Sequence, residues 1–460
     1  MIRFSAFRWG AVLAAALCVL APAARSHEAP SPPAPAPTAA PPAQTLFVDA
    51  RVFDGRAATP AAGVHVLVEN NRIAKISATP IAVGPGATVI QAAGRTLMPG
   101  LIDAHTHVMM SEISQPAALT ADIGFLNIVA ARGAEAMLMR GFTTVRDVGG
   151  PSFGLKRAID RGITVGPRIY PSGAFLSQTG GHGDFRLPNE VPRESNAPLS
   201  FHERIGVGAI ADGTEQVILR AREQLRQGAS QLKLMAGGGV ASPYDPLDVT
   251  QYTEEEFRAA VVAAENWGTY VTVHAYTPRA IQSALRAGVK CIEHGQLMDE
   301  PTAKMIADKG AWLSLQPFLD DEDANPMTGE SRVKQLQMVA GTDTAYRLAR
   351  KYRIRTAFGT DTLFDPSLGA RQGKQLAKLV RWYTPAEILK MATADNAELL
   401  ALSGPRNPYP GKLGVVEEGA LADLLLVEGD PLKDIALLAD PARNFVVIMK
   451  DGKVYKNAVR

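Results

Sequence analysis

Two histidines one residue apart, His105 and His107, end a short apolar stretch of this chain. On a β-strand, side chains at positions i and i+2 point to the same side of the sheet. Both imidazoles can therefore converge on one metal ion as neutral ligands. A lone His-x-His pair also occurs often by chance. If the pair binds a metal, the other ligands of the site must come from elsewhere in the chain.

Four further residues occupy comparable positions on other predicted strands. Each has an ordinary structural interpretation, for example a lysine that reaches solvent, a histidine of the core or a helix N-cap. Considered together they favour chemistry, because one edge of the predicted sheet would receive four of the eight histidines, a carboxylate and a buried lysine. The four residues are Lys233, His274, His294 and Asp361.

The body of the chain alternates apolar β-type runs with helical stretches, a pattern typical of parallel βα units. We predict an α/β fold in which eight such strands close into a (β/α)8 TIM-like barrel over residues 98–410, with its active site at the carboxyl ends of the strands. The long connection 173–213 is predicted to cover the substrate. The predicted strands are Gly100–His105, Thr143–Asp147, Arg168–Ser172, Gln231–Met235, Tyr270–His274, Cys291–His294, Trp312–Gln316 and Thr356–Thr360.

Short strand patterns with turns between them occur at both ends of this body. Residues 45–97 contain four such patterns, and residues 411–460 contain three more around an Asp451-Gly452 turn. Terminal β segments on either side of an α/β body suggest one shared unit. We therefore predict a small composite β-sandwich from both chain ends.

The N-terminus has the pattern of a secretory signal peptide. Arg3 and Arg8 precede an apolar run from Ala11 to Leu20 that is too short to span a bilayer. We expect residues 1–26 to be removed, with cleavage after Ala23 or Ser26, and residues 27–44 to form an extended Pro/Ala-rich linker. The mature protein is then secreted or periplasmic, with no membrane segment.

The overall composition indicates a globular protein. The chain has 460 residues, of which 46% are hydrophobic and 20% charged, and its formal net charge is +2. Neither nucleic acid nor an anionic membrane is an expected partner, because no block of Lys and Arg stands out. Of the two cysteines, Cys18 lies in the predicted signal peptide, so Cys291 has no intramolecular disulfide partner in the mature chain.

In the motifs around the candidate ligands, from His105 to Asp361, the chain resembles the amidohydrolase superfamily in its binuclear subtype. The similarity extends from Thr45 to the C-terminus, and two further segments, 177–184 and His274-Ala275-Tyr276, resemble the prolidase-related branch, which includes Xaa-Pro dipeptidases and ochratoxin-type amide hydrolases. Imidazolonepropionase-like enzymes share much of the pattern. Five motifs carry the resemblance: Pro99–His107, Gln231–Gly239 around Lys233, Val273–Tyr276, Ile292–Gly295 and Gly359–Thr362.

The resemblance implies two divalent metal ions, normally zinc, bridged by a carboxylated Lys233. It assigns His105, His107 and Asp361 to one metal, and His274 and His294 to the other. Such a pair can hold a bridging hydroxide that attacks an amide carbonyl. Asp361 would then act as general base and afterwards as general acid.

The resemblance also places Tyr276 and His182 against the substrate, as donors to the carbonyl oxygen and to a carboxylate or oxyanion. Arg186 and Arg279 are further candidates, because a guanidinium binds carboxylates well. We predict a small-molecule amide or dipeptide substrate and, as in many relatives, a homo-oligomer. The alternatives are a cyclic-amide hydrolase of imidazolonepropionase type and a barrel that binds ligands without catalysis.

Overall fold

The computed structural model describes residues 42–192, 197–242 and 244–459. The described residues form eighteen strands: β1 Gln44–Val52, β2 Ala61–Glu69, β3 Arg72–Ser77, β4 Thr88–Gln91, β5 Thr96–Pro99, β6 Leu101–Thr106, β7 Phe142–Asp147, β8 Arg168–Pro171, β9 Phe175–Ser177, β10 Gly208–Ile210, β11 Leu232–Met235, β12 Val271–Ala275, β13 Cys291–His294, β14 Trp312–Leu315, β15 Arg355–Phe358, β16 Leu424–Val427, β17 Phe445–Lys450 and β18 Lys453–Asn457.

The same described part of the chain contains fourteen α-helices: α1 Gln115–Thr120, α2 Ile123–Met139, α3 Phe153–Asp160, α4 Phe201–Ile205, α5 Gly213–Gln227, α6 Glu254–Asn266, α7 Pro278–Ala287, α8 Glu300–Asp308, α9 Gly329–Lys351, α10 Pro366–Gly369, α11 Gln372–Ala377, α12 Pro385–Lys390, α13 Asn396–Ala401 and α14 Pro441–Asn444. Helix α6 begins after Thr253, which forms with Glu256 a capping box that satisfies free N–H groups at the helix start. None of the described helices is long and apolar enough to cross a membrane.

Both chain ends contribute to one eight-stranded sheet. Its strands follow the order β18-β17-β16-β5-β1-β2-β3, with β4 paired to β1. Strand β5 joins the two halves, because it pairs with β1 on one side and with β16 on the other. The sequence predicted a shared β unit but did not predict β5, which extends the first segment past residue 97.

The body between these ends is built of parallel strands. One sheet has the order β10-β9-β11-β12-β13-β14-β15 and the other has the order β6-β7-β8. All eight predicted body strands are present, as β6, β7, β8 and β11 to β15. Most of their residues are buried, as expected for parallel strands covered on both faces. This α/β arrangement fits a TIM-like barrel.

The long connection between β8 and α5 is more regular than predicted. It contains β9, β10 and the short helix α4, and β9 pairs in parallel with both β10 and β11. The side chains of Phe175 and Leu176 are buried in this added edge. The pattern was too short to be recognised from the sequence, because three residues do not define a periodicity. Residues 193–196 of the connection lie outside the described residues, as does the predicted signal peptide.

Candidate active site

The predicted ligand residues meet at one edge of the parallel sheets. His105 lies in β6 and His107 follows it, Lys233 lies in β11, His274 in β12, His294 ends β13, and Asp361 follows β15. All six side chains line the same cleft. The order of parallel strands produces this convergence, because the carboxyl ends of neighbouring strands lie side by side.

Asp361 lies against the first two histidines. Its Oδ1 atom is 3.1 Å from His105 Nε2 and 3.4 Å from His107 Nε2. The backbone approaches closely here, since a Cβ atom on Gly359 would lie 2.4 Å from the Cβ of His105. Thr360 fixes the turn by donating its hydroxyl to Asp103 over 2.6 Å. One ligand atom from each of the three residues, His105, His107 and Asp361, lies within 4.8 Å of the others.

The hydrogen bonds of the histidines direct their lone pairs into the cleft. His107 Nδ1 donates to the carbonyl oxygen of Gly149 over 3.1 Å, and His274 Nε2 donates to that of Gly238 over 3.1 Å. His294 Nδ1 donates to Gln316 Oε1 over 2.8 Å. The opposite ring nitrogen of each histidine is then an acceptor. Imidazole nitrogens left free in this way are suitable ligands for a divalent cation.

His274, His294 and Lys233 form the other side of the site. The two imidazole rings are 4.6 Å apart, and His294 Nδ1 is 4.0 Å from Asp361 Oδ2. Burial lowers the pKa of His294 to about 3 and that of His274 well below its usual value. Burial also lowers the pKa of Lys233, whose exposed fraction is 1%. These shifts favour neutral imidazoles and a neutral amine, the forms that bind metals and carbon dioxide.

Two buried residues that the sequence did not single out hold His105 in place. Its Nδ1 atom donates to Glu293 Oε2 over 2.8 Å, and Arg146 donates to Glu293 Oε1 over 2.7 Å. Burial alone would raise the pKa of Glu293, but Arg146 and His105 hold it well below the usual value. Glu293 therefore stays ionised and keeps His105 Nε2 directed at the cleft.

We expect the Arg146→Met variant to lose about 3–5 kcal/mol of unfolding free energy, because it leaves the Glu293 carboxylate buried without its partner. Urea unfolding followed by circular dichroism measures the change. The matched control is Arg258→Met, which breaks an exposed ion pair with Glu265 and should cost about 0–1 kcal/mol. Equal stability of the two variants would show that the Arg146–Glu293 pair is not needed for folding.

His182 and Tyr276 also line the cleft. The His182 ring stacks on His274 with centroids 4.3 Å apart, and the Tyr276 ring lies 5.0 Å from that of His294. His182 Nδ1 lies 3.1 Å from Asp245 Oδ2, which also accepts the Gly239 N–H over 2.7 Å. Asp245 thus fixes the orientation of His182. This contact could not be predicted from the sequence, because the two residues are far apart along the chain.

Arg186 and Arg279, which the sequence analysis offered as substrate contacts, do not line the cleft. The Arg186 guanidinium forms two hydrogen bonds with Asp184, of 2.7 and 2.5 Å. Arg279 is exposed near the start of α7. A guanidinium suits a carboxylate substrate. In the structure, however, Arg186 pairs with Asp184, and Arg279 is exposed to solvent.

The sequence also did not reveal how apolar the cleft is. Most of its remaining lining comes from methionine, phenylalanine and branched side chains that belong to separate loops, strands and helices. Their clustering depends on tertiary packing rather than on any motif. These residues include Met110, Phe175, Phe185, Val240, Phe318, Met327, Met338, Val339, Leu363 and Phe364.

The parallel sheets and the grouped histidines are typical of metal-dependent hydrolases, and comparison with known proteins agrees with this class. Residues 96–456 match the Amidohydrolase family. The chain belongs to this family, which confirms the predicted class of enzyme, a hydrolase of carbon–nitrogen bonds.

Similar proteins lie in the ochratoxinase and prolidase branch. The chain is 34% identical to the ochratoxinase of Aspergillus niger over 380 residues, which are 78% of this chain and 75% of that protein. A crystal structure of a prolidase complexed with N-methylphosphonate-L-proline superposes with a TM-score of 0.81, at 35% identity over 90% of this chain and 100% of the other. A Xaa-Pro dipeptidase with bound methionine gives a TM-score of 0.78, at 28% identity over the same shares.

Proposed function

We propose that this protein is a secreted, binuclear metal-dependent amidohydrolase that cleaves the amide bond of dipeptides or N-acyl amino acids. The observation that carries the proposal is the convergence of His105, His107 and Asp361 beside His274, His294 and Lys233 in one cleft. The relatives support the substrate class, because one is an ochratoxinase and others are a prolidase and a Xaa-Pro dipeptidase.

The ligand set divides into two groups that would each hold one divalent ion, with zinc as the expected metal. His105, His107 and Asp361 form one group, and His274 and His294 form the other. Burial lowers the pKa of Lys233, so its amine could take up carbon dioxide and would then offer a carbamate as a further ligand for the ions. Bound there, the ions would supply an activated water and polarise the scissile carbonyl.

The residues of the chain then move the protons. Asp361 takes a proton from the attacking water and delivers it to the nitrogen of the departing amine, so that an amide and water become an acid and an amine. Burial raises the pKa of Tyr276 well above its usual value, which keeps the phenol protonated as a donor to the carbonyl oxygen. His182, which Asp245 orients, would contact the carboxylate of the substrate.

The proposal also includes the closed barrel, the composite β-sandwich, the export of the protein and its oligomeric state. Closure of the body into a (β/α)8 barrel is supported by Asn396, whose side-chain amide donates to Ile102 of β6 and Phe358 of β15. On the other side Ser230, which precedes β11, donates its N–H to Pro171 of β8. We also retain the composite β-sandwich of residues 45–97 and 411–460, export through residues 1–26, and a homo-oligomer.

We expect N-acyl amino acids and Xaa-Pro dipeptides to react roughly ten- to one-hundred-fold faster, in kcat/KM, than the same amides with a blocked C-terminal carboxylate. The reason is the lost hydrogen bond between a charged carboxylate and His182. Steady-state rates on matched free-acid and amide-capped substrates measure the difference. Equal rates would contradict carboxylate recognition, and hydrolysis of cyclic amides alone would favour an imidazolonepropionase-type activity.

A further inference from the structure

The connection between β11 and α6 forms a loop that is closed at its base. An isolated antiparallel β-bridge pairs Gly237 with Thr250. Between these two residues the structure describes residues 238–242 and 244–249. This segment, the β11–α6 loop, carries Asp245 near its tip. Because the bridge fixes only the base, the position of the tip depends on other contacts.

The β11–α6 loop contacts His182 at two points. A Cβ atom on Gly239 would lie 1.9 Å from His182 Cε1, so the backbone at this glycine packs directly on the imidazole ring. Asp245 Oδ2 accepts the Gly239 N–H over 2.7 Å and lies 3.1 Å from His182 Nδ1. The orientation of His182 therefore depends on where the tip of the loop lies.

Lys334, a half-buried residue of α9, binds the tip of this loop. Its Nζ atom donates to the carbonyl oxygens of Ser242 and Asp245, the latter over 3.1 Å. An ammonium group has three N–H donors, so it can bind two carbonyl oxygens of one loop at the same time. Lys334 does not line the cleft. Any effect of this lysine on a substrate must therefore pass through the loop.

The helix that carries Lys334 is also a wall of the cleft. Met338, one turn further along α9, lines the cleft and belongs to the same hydrophobic cluster as Val240 of the loop. Apolar contacts of this kind are not directional, whereas hydrogen bonds require a defined distance and angle. The two hydrogen bonds of Lys334 thus set the position of the loop on α9.

We propose, building on the proposed function, that Lys334 is a positioning residue for recognition of the substrate carboxylate. Lys334 fixes the loop on α9, the loop fixes Asp245, and Asp245 directs His182 toward the carboxylate. Lys334 itself contacts neither the substrate nor the metal ligands. Its loss should weaken the preference for a free carboxylate and leave the metal content and the proton transfer by Asp361 unchanged.

The first test is the Lys334→Met variant, which removes both hydrogen bonds and keeps most of the side-chain volume. We expect the ratio of kcat/KM between free-acid and amide-capped substrates to fall by roughly three- to thirtyfold, mainly because KM for the free acid rises. The kcat/KM of the capped substrate and the metal content per chain should remain at the native values. Lys334→Arg keeps N–H donors at this position and should restore most of the preference.

The matched control is Lys351→Met, which removes a lysine from the end of the same helix. Lys351 pairs with Glu300 at the surface and does not bind the loop. This variant should keep the native substrate preference. Hydrogen exchange followed by mass spectrometry gives a second measurement: peptides from the β11–α6 loop should exchange faster in Lys334→Met than in the native protein or in Lys351→Met.

A double-mutant cycle shows whether Lys334 acts through Asp245. Leucine has a branched shape similar to that of aspartate but accepts no hydrogen bond, so Asp245→Leu releases His182 directly. In the Asp245→Leu background, Lys334→Met should then cause little further loss of the preference for free acids. Losses that multiply in the double variant would show that Lys334 acts by another route, and would overturn the proposal.

The outcomes separate this proposal from the proposed function. Equal losses of kcat/KM for free-acid and capped substrates in Lys334→Met would indicate a general structural role and overturn the positioning role. Faster loop exchange with an unchanged preference would overturn it as well. If the native protein cleaves both substrates equally well, the amide hydrolase stands and this proposal fails. If metal-loaded native protein cleaves neither, the proposed function fails and this proposal fails with it.

Discussion

The Asp361→Asn variant is expected to keep most of its metal while kcat falls by about 10²–10⁴-fold, the usual contribution of general acid–base catalysis. An asparagine can still offer one oxygen to a metal ion, but it cannot carry a proton. In the structure Asp361 faces His105 and His107 through a single oxygen, Oδ1. Elemental analysis and steady-state kinetics on the same sample measure both properties.

The control for this variant is Asp323→Asn. Asp323 lines the same cleft, but its carboxylate pairs with Arg371 and Lys378 rather than with the histidines. Its replacement should lower kcat far less. If metal-replete Asp361→Asn turned over at the native rate, the proton role would pass to another residue, with His182 the first to be examined.

The Lys233→Ala variant is expected to lose at least one of two bound metal ions and nearly all activity. Lys233 lies in β11 beside β12, which carries His274, and an alanine supplies no bridging ligand there. Metal content per chain after dialysis is the measurement. Lys378→Ala, which removes another lysine of the same cleft, should retain both ions. Two retained metals and normal turnover in Lys233→Ala would rule out the carbamate bridge.

The elements that carry these residues could be predicted because their patterns are local. Apolar runs of four to six residues, most of them followed by a helix, marked all eight body strands. Carboxyl ends of parallel strands lie at one edge of the sheet. Histidines at the ends of different strands could therefore be predicted to lie close together. Helix α6 could be predicted for the same reason, because Thr253 is a typical N-cap residue and directly precedes it.

The residues that support the site could not be found in this way. Glu293 and Arg146 hold His105 across three strands, and Asp245 orients His182 across a long loop. Their roles exist only once the strands are assembled. Arg186 illustrates the same limit. Its guanidinium was predicted to bind substrate, but in the structure it donates hydrogen bonds to Asp184, two residues earlier.

The need for two metal ions is tested most directly by the hydrolysis rate of an N-acyl amino acid in chelator-treated protein, recorded as zinc is added back. We expect no turnover in the metal-free protein and a rise that saturates at two equivalents per chain. Turnover by the metal-free protein, or saturation at one equivalent, would contradict it.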